Sequence, residues 1–241
     1  MKTFLNFTLT KACFVLCIFC LFLSGCATTS SAKAPNFYLD RQCGVYKATA
    51  IPYGNNSKQK LDIYLPENYM EQESLDILVF IHGGAYYTGS RYELKDSCTE
   101  MARNGLVVAM MDYRLVGANN DYFFKEMFED ICTSIEKIAA VCAAKNIKLD
   151  KAAIMGTSAG AHLTMLYAYK MIDQIPLDIV FCINYVGPAD LADPNFLAKE
   201  DDKRFEGLMA LIKKRLGVTK GAEAVPYFKE YSPIEYLKPT S

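Results

Sequence analysis

Five consecutive apolar residues, Ile77 to Ile81, run straight into His82-Gly83-Gly84. An apolar stretch without polar alternation suits a strand buried on both faces, as in a parallel sheet sandwiched between helices. The strand predicted over Asp76–Ile81 is one of six. Val45–Ile51, Lys60–Leu65, Leu106–Asp112, Ala152–Met155 and Asp178–Val186 are the others, and Lys60–Leu65 alternates (Leu61, Ile63, Leu65) as a strand wet on one face would. Helical patterns fall between them. Ser90 and Glu93 have capping-box spacing ahead of a stripe at Leu94, Cys98, Met101 and Ala102, which Gly105 can end. Asn120 or Asp121 can cap a long helix carrying Phe124, Met127, Phe128, Ile131, Ile135, Ile138 and Cys142. A further helix follows Ala152–Met155 as far as about Met171. Lys203–Leu216, with Phe205, Leu208, Met209, Ile212 and Leu216 on one face and Gly217 behind it, reads as a surface or lid helix, and only Tyr- and Pro-rich turns are expected after it. The alternation predicts an α/β domain with a mostly parallel central sheet and helices on both faces.

With 51% hydrophobic and 22% charged residues the chain can build a packed core. Its formal net charge of −1 offers no basic footprint, so nucleic acid is excluded as a partner. Residues 1–25 read as an export signal. Lys2 and Lys11 precede the apolar run Ala12–Leu23, which is too short to span a bilayer. The run ends in Leu23-Ser24-Gly25-Cys26, which resembles the lipobox of bacterial lipoproteins. That resemblance implies cleavage before Cys26, lipidation of its thiol and new amino terminus, and a protein exported and anchored by lipid to a bacterial membrane. An ordinary secretory signal with an incidental cysteine is the alternative. Residues 26–42 then read as the lipidated cysteine and a flexible tether, and 43–241 as the folded domain. The five later cysteines (Cys43, Cys98, Cys132, Cys142, Cys182) follow no metal or disulfide spacing and are expected to be free thiols.

Two motifs carry chemistry. Gly156-Thr157-Ser158-Ala159-Gly160 matches G-x-S-x-G between a predicted strand and a predicted helix, the context of a nucleophile elbow. There the serine occupies a strained turn, and only small neighbours let backbone and substrate approach. His82-Gly83-Gly84-Ala85, at the end of the Asp76–Ile81 strand, occupies the place of a loop whose backbone N–H groups meet a developing oxyanion.

With these two motifs, HGGAYYTGS (82–90), Asp112-Tyr113-Arg114, GTSAGAHL (156–163), Gly187-Pro188-Ala189-Asp190-Leu191 and Ser232-Pro233 resemble the α/β-hydrolase superfamily. The resemblance is to its lipase/esterase branch, related to hormone-sensitive lipase and to bacterial feruloyl and acetyl esterases. It spans about residues 43–241 and implies Ser158 as nucleophile, with Gly84, Ala85 and Ala159 as oxyanion hole. His82, Gly83, Gly156 and Gly160 are implied as motif residues that shape the loop and elbow. A carboxylic ester, small or linked to a polysaccharide, is the implied substrate, with no metal or organic cofactor. Tyr86 stands where relatives often carry tryptophan, which leaves the shape of the acyl pocket open.

A serine nucleophile needs a general base oriented by a carboxylate. The family order is Ser, then Asp or Glu, then His. The only later histidine, His162, lies four residues into the same helix and is expected to be structural; Asp190 is expected to belong to a structural turn. The resemblance calls for two more strands, with the acid and the histidine on the loops after them, beyond residue 241. The expectation is therefore a truncated piece of a longer serine esterase, inactive alone at physiological rates. The alternative is a non-catalytic, surface-anchored relative that holds an acylated sugar without cleaving it. A peptidase of the prolyl-oligopeptidase type shares the elbow but would bring a propeller domain.

Overall fold

The structure is a computed structural model that describes residues 34–197 and 203–237. The export signal, Cys26 and the first part of the tether lie outside the described residues. Seven strands form one sheet in the order β1-β2-β3-β5-β4-β6-β7. They are β1 (Tyr38–Asp40), β2 (Val45–Pro52), β3 (Lys60–Pro66), β4 (Leu75–Ile81), β5 (Val107–Met111), β6 (Leu149–Thr157) and β7 (Ile179–Tyr185). The neighbours β5, β4, β6 and β7 are parallel, whereas β1–β2, β2–β3 and β3–β5 pair antiparallel, so the sheet is mixed. Alternate residues of the apolar run serve two cores. Ile77, Val79 and Ile81 pack with α2 (Phe124–Ala144) and α3 (Ala159–Lys170), while Phe80 packs with Val108, Met110 and, from α1 (Lys95–Arg103), Cys98 and Ala102. Helices on both faces thus explain why the run lacks a polar phase.

The structure departs from the sequence expectations at several places. β1 lies inside the segment read as tether, where the Asp40 carboxylate accepts from the N–H groups of Gln42 and Cys43 and from Lys47 Nζ (2.8 Å). β3 is not wet on one face: Asp62 and Tyr64 are buried, Asp62 because Arg91 neutralises it. Ser90 and Glu93 do bond reciprocally, but they close a turn, and α1 begins only at Lys95. The cap of α2 is Phe123, whose N–H donates to Glu126 Oε2 (2.8 Å), while the Asn120 side chain closes a turn onto the Tyr122 N–H. α4 (Lys203–Leu216) ends before Gly217 as expected. It is followed not by turns alone but by α5 (Val225–Glu230), held against α2 by Phe123 stacked on Tyr227 at 4.9 Å. The five cysteines are free thiols. No helix among the described residues is long and apolar enough to cross a membrane.

Among the described residues β7 has no neighbour on its outer side. Phe181, Ile183 and Tyr185, on one face of it, are 67%, 43% and 60% exposed. An uncharged, unpaired apolar edge is a template for pairing with another chain. Replacing Phe181 and Ile183 with Lys is expected to suppress self-association, followed by light scattering against concentration. The thermal midpoint should move by less than about 4 °C, the scale of a 1 kcal/mol change.

Candidate active site

β6 ends at Thr157, and Ser158 turns the chain into α3 with φ 52° and ψ −116°. Its N–H donates to the Tyr185 carbonyl of β7 (2.8 Å) and its carbonyl accepts from the His162 N–H (3.1 Å). The main chain of Ser158 is thereby fixed on both sides at the C-terminal ends of the parallel strands. Gly156 and Gly160 touch, and a Cβ on Gly160 would overlap the carbonyl oxygens of Ile81 and His82. A Cβ on Gly83 would stand 2.8 Å from the Thr157 carbonyl oxygen and 3.4 Å from Ser158 Cβ. Main chain packed this closely admits no side chain, and it brings the two sequence motifs together.

The loop after β4 turns at Gly84, whose carbonyl accepts from the N–H groups of Tyr87 (3.1 Å) and Thr88 (3.0 Å). Ala85 and Tyr86 follow with positive φ, 47° and 69°, conformations that cost of order 1–3 kcal/mol each and cluster at functional sites. Among the described residues nothing accepts from the N–H groups of Gly84, Ala85 or Ala159. His82 is buried behind the loop. Its Nδ1–H donates to the Gly83 carbonyl (2.7 Å), its ring stacks on Tyr113 at 4.3 Å, and burial holds its pKa below the ordinary histidine value. The Tyr113 hydroxyl donates to the His82 carbonyl (3.0 Å). The far end of the loop is anchored by Arg91. Its N–H donates to Asp112 Oδ1 (2.6 Å), its Nε to Asp62 Oδ1 (2.9 Å), and its guanidinium also pairs with Asp112. Sequence reasoning missed this anchor, although an aspartate in the apolar pattern of β3 was its available signal.

His162 is buried, with its Nε2–H donating to the Tyr231 carbonyl (2.6 Å). Burial lowers its pKa to about 4 against the opposing effect of that bond. Asp190 accepts from the Ala192 N–H (2.7 Å) and from Ser232 Oγ (3.3 Å), the turn role expected of it. Among the described residues no group of His, Cys, Asp or Glu gathers to hold a metal ion. A hollow of about 650 Å³, lined by Ile77, Cys142 and Leu177 together with Lys148, Asp150 and Asp178, opens at the opposite ends of β4 and β6 and shares no residue with the elbow.

This sheet, with a serine elbow lying against a glycine loop, is the architecture of an α/β-hydrolase of the esterase/lipase branch. Within that class the chain belongs to the BD-FAE family, whose model matches residues 61–241. It is 26% identical over 167 residues to a non-reducing polyketide synthase of Stereocaulon alpinum, covering 66% of this chain and 6% of that protein. It is 28% identical over 114 residues to the isoprenylcysteine alpha-carbonyl methylesterase of Arabidopsis thaliana, covering 47% of this chain and 26% of the relative. Among solved structures, esterase B of Lactobacillus rhamnosis superposes with a TM-score of 0.56 at 21% identity, over 78% of this chain and 62% of that one. The chain thus spans 6% and 26% of these curated relatives and under two thirds of that esterase structure.

Gly160→Ala is expected to cost more than about 2 kcal/mol in urea unfolding, because backbone carbonyls, not flexible side chains, meet the new methyl. The unfolded chain binds a proton at His162 near pH 6.5 and the folded chain only near pH 4, so stability is full above pH 6.5 and falls as pH falls between these values. The loss should reach on the order of 3 kcal/mol by pH 4. In His162→Gln this part of the slope should vanish from denaturation curves measured across that range.

Proposed function

We propose that the chain is the nucleophile-bearing part of an exported serine esterase that cleaves carboxylic esters through an acyl-enzyme on Ser158. The observation that carries this reading is the strained serine held against Gly83, with three nearby main-chain N–H groups that have no acceptor among the described residues. In the reaction Ser158 Oγ attacks the ester carbonyl. The tetrahedral oxyanion accepts from the N–H groups of Gly84, Ala85 and Ala159, the alcohol leaves, and water then releases the acid. The hydroxyl proton must go to a base. Neither histidine of the chain suits that task, since His162 donates to Tyr231 and His82 lies buried behind the loop. This reading therefore assigns the base to neither of them. Esterases among the relatives and structural neighbours support the substrate class. Residues 1–25 direct export in this reading, and Cys26 carries the lipid that holds the domain at a bacterial membrane.

A second reading, favoured by the hydrogen bonds that commit both histidines to backbone carbonyls, is a module that keeps the pocket to hold an acylated sugar. Loss of the histidine of such a triad costs about 10⁶ in turnover and leaves about 10³ to 10⁴ over water. A fluorophosphonate probe separates the readings. Covalent labelling at Ser158 with imidazole added as the base, abolished in Ser158→Ala, is expected of the esterase, and an intact chain that stays unlabelled under those conditions identifies the binder. Added imidazole should also raise p-nitrophenol release from p-nitrophenyl acetate above the rate of Ser158→Ala under the same conditions.

A further inference from the structure

His162 joins more elements of the site than any role in proton transfer would require. Its N–H bonds back to the carbonyl of Ser158 (3.1 Å), and its ring donates to the Tyr231 carbonyl (2.6 Å), 69 residues further along the chain. Two aromatic rings lie against it. Tyr86 of the glycine loop lies at 5.6 Å and nearly perpendicular, and Phe124 from the start of α2 lies at 5.7 Å. Among the described residues neither His162 Nδ1 nor the buried Tyr86 hydroxyl has a hydrogen-bond partner, so the bond to Tyr231 is the one hydrogen bond that orients the ring. Two turns later Lys170 repeats the attachment. Its Nζ lies over the rings of Tyr231 (5.5 Å) and Tyr236 (4.9 Å) and faces Phe128 (5.3 Å). One face of α3 therefore grips the 231–236 segment at two points.

We infer that His162 is a positioning residue that registers the Tyr231–Tyr236 segment and the Tyr86 side of the glycine loop against Ser158. The chemistry of the ring explains the choice of residue. A donor must project about the length of an imidazole from α3 to reach a buried carbonyl, while the rest of the ring fills an apolar slot between two aromatics. Glutamine reaches with its amide nitrogen about as far as Nε2; asparagine reaches only as far as Nδ1. The kinetic consequence, and only that, rests on the proposed role of Ser158.

The test uses the 241-residue chain labelled with ¹⁵N-histidine, whose two histidines make assignment direct. Long-range ¹H–¹⁵N spectra at pH 7 should show His162 neutral and protonated on Nε2. Hydrogen exchange and the rate of fluorophosphonate labelling, with imidazole added as the base throughout, are then compared among His162→Gln, His162→Asn and His162→Leu. Glutamine should keep both within about threefold of the parent. Asparagine and leucine should speed exchange at the Tyr87, Thr88 and Ile234 amides at least about tenfold and slow labelling by a similar factor. Lys170→Gln should loosen Ile234 without affecting Tyr87 or Thr88, which separates registration from general destabilisation. A proton on Nδ1, indistinguishable Gln and Asn variants, or unchanged loop exchange in the Asn or Leu variant would each overturn the inference. If His162→Leu does not fold, the Gln and Asn pair decides. If the parent chain is not labelled, the esterase reading falls, while tautomer and exchange still decide the role of His162.

Discussion

Main chain lying directly on main chain, where Gly156, Gly160 and Gly83 meet, is the contact on which the rest of the site depends. It lets the first turn of α3 sit against the end of β4, and so sets the serine beside the glycine loop. No hydrophobic packing between side chains could bring two backbones to this distance. The strain at Ser158, Ala85 and Tyr86 persists because the surroundings determine those conformations several times over, through β7, the turn at Gly84 and the buried ring of Tyr86.

Buried carboxylates provide the second tier of order. Asp112 and Asp62 hold Arg91 at the far end of the glycine loop, and Asp130 holds the next loop by accepting from the Arg114 N–H (2.7 Å), the Arg114 guanidinium and Gln59 Nε2 (2.7 Å). From α4, Arg215 donates to the carbonyls of Gly117 and Tyr122. Each of the three carboxylates accepts from backbone as well as from a side chain, so each fixes the path of the main chain as well as a charge. Buried pairs of this kind add little net stability compared with apolar packing, and their contribution is to specify one arrangement.

Much of this was legible from residue patterns. The apolar run of β4, the glycine spacing of the elbow and the stripe of α2 each report a local periodicity, and each lies where it was expected. What could not be read depends on partners far along the chain. Asp62 looked solvent-facing because Arg91, which neutralises it, is 29 residues away, and the role of His162 required Tyr231, 69 residues away. β1 is three residues long and leaves no periodic trace. The roles of Ser158 and its neighbouring N–H groups were suggested by motif, and both histidines were expected to be structural, while the partners that hold them emerged only from their hydrogen bonds.

Ten of the twelve residues of α3 are buried, so the helix is enclosed on all sides like a spindle in its bearing. A helix in that position has no free face on which to accommodate a larger residue or a rotation. Substrate preference in such a scaffold can diversify only through the segments that cross above the sheet, while the axle carrying the serine stays the same.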